Sequence, residues 1–212
     1  GSDSFDTVFT YNLSSPEKQK AAFAGIDDLV NTLPVTLVNI PKIKSVQVIN
    51  NDKGLIEHYK SELVFEEENI KKLSVSISNS IGEKCSRNFI TYTNKVIALS
   101  AEVDGFDSPK LKQLVGETPK LFRDFPLIGS NKFHFPFMLN GFKFNPREDR
   151  DGVFIHSKEA LDHEENRLII EKAFEASQIF VGWLILNNFR NRFVCALSRL
   201  PDEKWTDFSK EW

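Results

Sequence analysis

The chain is poor in cysteine, methionine, tyrosine and tryptophan, and it has no long apolar run. Its two cysteines, Cys85 and Cys195, stand far apart and cannot build a disulfide framework. Free thiols in a reducing compartment are the plain reading, which places the expected location in the cytoplasm. No signal-peptide pattern is legible, and the run from Ile179 to Leu186 is far too short to span a bilayer, so no membrane partner is expected. A formal net charge of −3 gives no general pull toward nucleic acid. There is no Walker-type phosphate loop, no G-x-G-x-x-G after a strand, and no C-x-x-C or H-E-x-x-H. No internal repeat or low-complexity tract interrupts the chain.

What is present is an ordinary globular composition, 41% hydrophobic and 27% charged over 212 residues. That length suits one domain of moderate size, or one domain plus an appendage. Phenylalanine is abundant, with 19 residues against 3 Tyr and 3 Trp, which implies a large core or a protected apolar interface.

Residues 7–13 alternate as a strand would. Ser14 reads as an N-cap, with Glu17 three residues on and Pro16 in the first turn. The helix it starts runs to about Asn31, buries Ala22, Phe23, Ile26, Leu29, Val30 and Leu33, and stops at Pro34. Strands follow at residues 43–49, 59–65, 73–78, 89–93 and 95–103, with turns at residues 50–54 and near Asn94, as in an antiparallel meander. The Ser76 and Ser78 side belongs on a sheet surface. Residues 111–115 read as a short helix or turn. Residues 157–188 read as a long helix, bent or broken near Gly182. The expected fold class is α+β: a mixed or antiparallel sheet with packed helices and a helical C-terminal part. Gly1-Ser2 is expected to be a tag remnant, with an α+β module over residues 3–155. Residues 156–212 form a helical segment that packs on it or on sequence beyond this chain.

The densest mix of aromatics, turn residues and charges lies at residues 125–155. Phe133, Phe135, Phe137 and Leu139 alternate and would share one strand face. Asn140-Gly141 reads as a tight turn, because both residues tolerate positive φ. The loop from Arg147 to Gly152 then carries paired charges. Arg147 and Arg150 are the best candidates for a functional charge, since guanidinium suits bidentate clamping of phosphate or carboxylate. Local salt bridging to Glu148, Asp149 and Asp151 is the structural alternative, and the residues alone favour it slightly. His156 and His163 are seven apart, but exposed histidines at a helix start outweigh a metal site there. No pair of carboxylates and no nucleophile–base set stands out. Arg190, Arg192 and Arg199 make a basic patch, and Trp205, Phe208 and Trp212 would share a helix face, giving a second candidate interaction surface.

The run Phe125-Pro126-Leu-Ile-Gly, then Phe135-Pro136-Phe-Met-Leu-Asn140-Gly141, then the Arg147/Arg150 loop closed by Gly152, resembles a segment of sacsin-like proteins. These belong to the GHKL ATPase superfamily, relatives of the ninety-kilodalton heat-shock chaperone. The Asn-Gly element is also similar to one in the transducer domain of MutL-type members, whose fold is like domain 2 of ribosomal protein S5. The resemblance implies an S5-like core and a non-catalytic middle or transducer module. Such a module couples nucleotide state to movement and to an unidentified client. The superfamily's ATP site needs an Asn-bearing helix and an Asp-x-Gly-x-Gly loop, and neither is here. ATP and Mg would therefore belong to an upstream ATP-binding domain of the parent, with no cofactor in this chain. Arg147 and Arg150 lie nearest the motif as candidates for contacting the nucleotide. The competing expectation is a self-contained interaction or scaffold domain unrelated to ATP.

Overall fold

A computed structural model describes residues 10–114, 116–156 and 160–196. The elements in order are α1 (Pro16–Asn39), β1 (Ser45–Asn50), β2 (Leu55–Glu67), β3 (Ile70–Asn79), β4 (Lys84–Thr93), β5 (Ile97–Val103), β6 (Leu121–Arg123), β7 (Phe125–Pro126), β8 (Met138–Gly141) and α2 (Leu161–Leu186). The strands form one mixed sheet in the order β1-β2-β3-β4-β5-β8-β6-β7. The α+β class is as expected. β1 to β5 make the antiparallel meander, each strand paired with the next. β8 then joins β5 antiparallel and β6 parallel, which makes the sheet mixed.

Alternation along the strands builds two cores. Phe89 on β4 and Met138 on β8 join Tyr59, Val75 and Phe122 on one face, under the end of α1. Ile90 and Tyr92 on β4 join Leu99, Ala101, Val103 and Leu139 on the other, under α2. β5 is buried along its whole length, with α2 packed on one of its faces. The β3 serines Ser74, Ser76 and Ser78 pair with Asn88, Ser86 and Lys84 on the Ile90 side, beyond the reach of α2. There the sheet is solvated, as the Ser76/Ser78 alternation suggests, with Ser76 exposed.

Helix α1 departs from its expected form in three ways. Its N-cap is Ser15, whose hydroxyl accepts the Lys18 N–H at 3.3 Å, and not Ser14. It runs through Pro34 to Asn39. Proline inside a helix removes one backbone bond and crowds the preceding turn. Here Val35, Leu37 and Val38 are almost wholly buried against the sheet, and that packing outweighs the local penalty. The expected core stripe is only partly used, for Phe23 is 46% and Val30 42% exposed. By length and composition alone α1 is apolar enough to cross a membrane, a property that a core helix shares. Residues 10–13 have no regular structure, so the strand expected at 7–13 is absent from its described part. Around residues 111–115 there is no helix among the described residues; Leu111 bridges to Val103 and Lys110 to Arg190. Helix α2 starts at Leu161 and passes Gly182 unbroken, its buried stripe running from Asn166 through Ile170, Ala173 and Phe180 to Leu184.

One ion cluster ties α1 to the meander. Glu102 on β5 accepts from the Arg87 Nε (3.2 Å) and Nη2 (2.6 Å), and its other contact is the Lys112 ammonium at 3.1 Å. A third Arg87 nitrogen donates to the Asn31 carbonyl at 3.1 Å. Burial alone would raise the Glu102 pKa, but the hydrogen bonds and charges of Arg87 and Lys112 outweigh it and hold it below the usual carboxylate range. A depressed carboxylate contributes stability above its unfolded pKa and loses it as pH falls through the folded value. Glu102→Gln should therefore cost about 1–2 kcal/mol at neutral pH. The loss should shrink toward zero in acid, where wild type is protonated too. Urea denaturation from pH 7 to pH 3 checks this, and a pH-independent difference would contradict it.

Candidate functional site

The two halves of the 125–155 stretch meet in space. The Ile128 N–H donates to the Arg150 carbonyl at 3.0 Å, and the Arg150 Nη2 donates to the Arg123 carbonyl at 3.3 Å. Gly129 has φ 97°, a conformation that favours glycine, and sits against the Asp151 backbone. Pro126 belongs to β7, a two-residue edge strand, where a missing N–H costs least. Ser130, fully buried, closes the turn: its hydroxyl accepts the Leu121 N–H at 3.0 Å and donates to the Leu127 carbonyl at 2.6 Å.

Asn140 and Gly141 are not a turn. They are the last residues of β8, pairing with Ala98 and Ile97 of β5, and the chain turns after them. Asn140 is 2% exposed. Its amide donates to the Asn39 carbonyl at 3.0 Å, and its side-chain oxygen accepts the Asp124 N–H at 3.1 Å. One side chain thus joins the end of α1, β8 and the β6–β7 turn. Phe133, Phe135 and Phe137 do share a buried side, each under 5% exposed, but residues 133–137 carry no strand pairing. Phe135 lies 5.7 Å from Phe174, and Phe137 lies 5.0 Å from Phe180, between ring centroids. Aromatic packing on α2 sets their direction. Pro136, half-buried, punctuates this loop.

The charged loop is a tight hairpin. The Arg147 N–H donates to the Gly152 carbonyl at 2.9 Å, the Arg150 N–H to the Arg147 carbonyl at 2.8 Å, and Pro146 bridges to Val153. Arg147 is engaged locally. Its guanidinium meets Asp151 at 3.3 Å and lies 5.1 Å over the Phe154 ring, which stacks on His163 at 5.0 Å. The salt-bridge alternative therefore holds for Arg147. Arg150 differs: it is exposed, has φ 52°, and among the described residues forms no ion pair. Beside it, Phe125 is 53% and Ile128 60% exposed. Arg123, which the sequence did not single out, completes the cluster and pairs with Asp124. Only its place before Asp124-Phe125 could have flagged it, since its contact with Arg150 spans 27 residues.

Asn166 fixes this loop to the core. Fully buried on α2, it accepts the Asn145 N–H at 2.8 Å and donates to the Asn145 and Phe154 carbonyls, each at 3.0 Å. The arrangement offers a positioned guanidinium on a rigid turn with an apolar rim. Among the described residues no nucleophile lies beside a general base in it. Among the described residues there is no cluster of side chains fit to hold a metal, and His163 is stacked on Phe154. Arg190 and Arg192 lie past the end of α2, away from the motif in sequence and lining a separate cleft. Arg199, Trp205, Phe208 and Trp212 lie outside the described residues.

No family model matches the chain, and neither the curated proteins nor the solved structures contain a match to it.

Proposed function

We propose that this chain is a non-catalytic middle or transducer-type module of a sacsin-like GHKL ATP-binding protein. It couples nucleotide state in an upstream domain to conformational change and partner binding. The observation that supports this reading is the state of Arg150: exposed, without an ion pair among the described residues, and set on a turn locked by backbone bonds of 2.8 and 3.0 Å. A guanidinium held this way, without a carboxylate to compete, suits contact with a phosphate presented by another domain. Phe125 and Ile128 would form the apolar rim of that docking. Arg147 is the weaker candidate because Asp151 and Phe154 already hold it. An S5-like core, with β8 as its aliphatic-Asn-Gly element, belongs to the same proposal. Cytoplasmic residence follows from it as well.

The chain alone should show no ATP turnover. In the parent protein, Arg150→Ala should lower turnover by at least about tenfold, since a guanidinium serving a transferring phosphate contributes that much or more. Arg147→Ala should have a smaller effect. Wild-type turnover in the Arg150 variant would sink the role.

The second reading is a self-contained interaction domain. The exposed Phe125 and Ile128 favour it, because an apolar rim beside arginines is a common contact surface. Partner capture by this chain without the upstream region, undiminished in Arg150→Ala, would favour it over the first.

A further inference from the structure

Lys110 and Arg190 lie side by side in a parallel bridge. The Arg190 N–H donates to the Pro109 carbonyl at 2.8 Å, and its carbonyl accepts the Leu111 N–H at 3.0 Å, so the two segments are locked around Lys110. Directly opposed residues in a ladder project on the same side, and like charges placed so are destabilising. Arg192 adds a third cation two residues on. All three line a cleft of about 630 Å³ that has no carboxylate in its wall. Among the described residues none of the three takes part in an ion pair. Arg190 commits one guanidinium nitrogen to the Ser108 carbonyl at 3.0 Å and has its other donors left.

The cleft is a built feature. Asn188 (φ 57°) and Asn191 (φ 63°) bracket Arg190 in the left-handed region, which asparagine tolerates better than most residues. The Asn191 amide donates to the Leu111 carbonyl at 2.7 Å. Phe189, 2% exposed, anchors the turn against Trp183 at 5.6 Å between centroids. Phe193, 66% exposed, supplies an apolar wall. The cleft is shallow and open to solvent, and its volume exceeds what a bare phosphate needs.

We infer that this cleft binds an anionic group, phosphate or carboxylate, carried on a planar apolar body. Lys110 and Arg190 hold the anion, and Phe193 packs on the body. None of these residues belongs to the Arg150 loop, so this site and the proposed coupling role stand or fall separately.

Calorimetric titration of the whole chain with AMP, indole-3-acetate and pyrophosphate tests it. AMP represents the phosphate source and indole-3-acetate the carboxylate source, and binding of either supports the site and identifies which. Lys110→Ala and Arg190→Ala should each weaken that ligand by about tenfold, the worth of one charge-assisted hydrogen bond. Lys110→Ala leaves the Ser108 contact in place and so separates ligand loss from misfolding. Phe193→Ala should weaken the organic anion while leaving pyrophosphate unchanged. The proposal is overturned if neither organic anion binds at millimolar concentration. It is equally overturned if Lys110→Ala and Arg190→Ala both bind the ligand with wild-type affinity.

Discussion

Asn166→Ala should destabilise the protein by about 4 kcal/mol, among the largest losses available to a single polar truncation here. The side chain is fully buried and makes three bonds of 2.8–3.0 Å to the backbone of Asn145 and Phe154. Truncation strands one N–H and two carbonyls at part-buried positions, at about 1–3 kcal/mol for each group left unsatisfied. Asn166→Asp should be nearly as damaging, because a carboxylate cannot donate to the two carbonyls and would face them with negative charge. Urea denaturation measures both. A loss under about 1 kcal/mol would mean that water replaces the amide without penalty. The loop carrying Arg147 and Arg150 should also become more open to hydrogen exchange, since Asn166 supplies three of its bonds to α2.

Gly141→Ala should cost about 3 kcal/mol. A Cβ at this position would lie 2.6 Å from Cε2 and 2.8 Å from Cγ of Phe144. Phe144 is 2% exposed and packed in the core under α2, so its ring has no free space to move into. The cost arises from close approach and not from backbone conformation, as Gly141 has no positive φ. The double variant Gly141→Ala with Phe144→Leu should therefore recover part of the loss, whereas a glycine needed for its dihedrals would show no such rescue. A midpoint unchanged in the single variant would show that the ring gives way after all.

Most of the meander was legible because one face of a strand is more buried than the other, which writes a period of two into the residues, and β5, buried on both faces, still alternates between mostly larger apolar residues and small or polar ones. Five strands could be placed from that signal, and so could the solvated serine side of β3. α2 was legible in the same manner, at period 3.6, although its glycine did not break it. The phenylalanines at 133, 135 and 137 show the limit of such reading. Their alternation reported burial correctly and strand pairing incorrectly, because side chains packed on α2 produce the same pattern as a ladder.

Local signals failed where long-range packing outweighed them. Pro34 should have ended α1, but the buried Val35, Leu37 and Val38 carry the helix five residues further, to Asn39. Asn140-Gly141 has turn propensity worth a fraction of a kcal/mol, whereas the strand between β5 and β6 buries four consecutive residues. The candidate site was half legible. Both arginines stood out by type and spacing, but which is free could not be told from residues 147–151 alone, because Asp151 is near both in sequence.

By itself, then, the sequence determined the class of the protein: an α+β chain with a meander, two long helices and no common nucleotide or metal motif. Those features follow from composition and from local periodicity, which the chain carries wherever it goes. Only the tertiary structure decided that β8 is a central strand, that Asp151 holds Arg147 and leaves Arg150 exposed, and that Lys110 meets Arg190 across a bridge. Each depends on contacts between residues close in space, and the free energy of burying apolar surface across such distances exceeds the preferences that a short window of sequence can express.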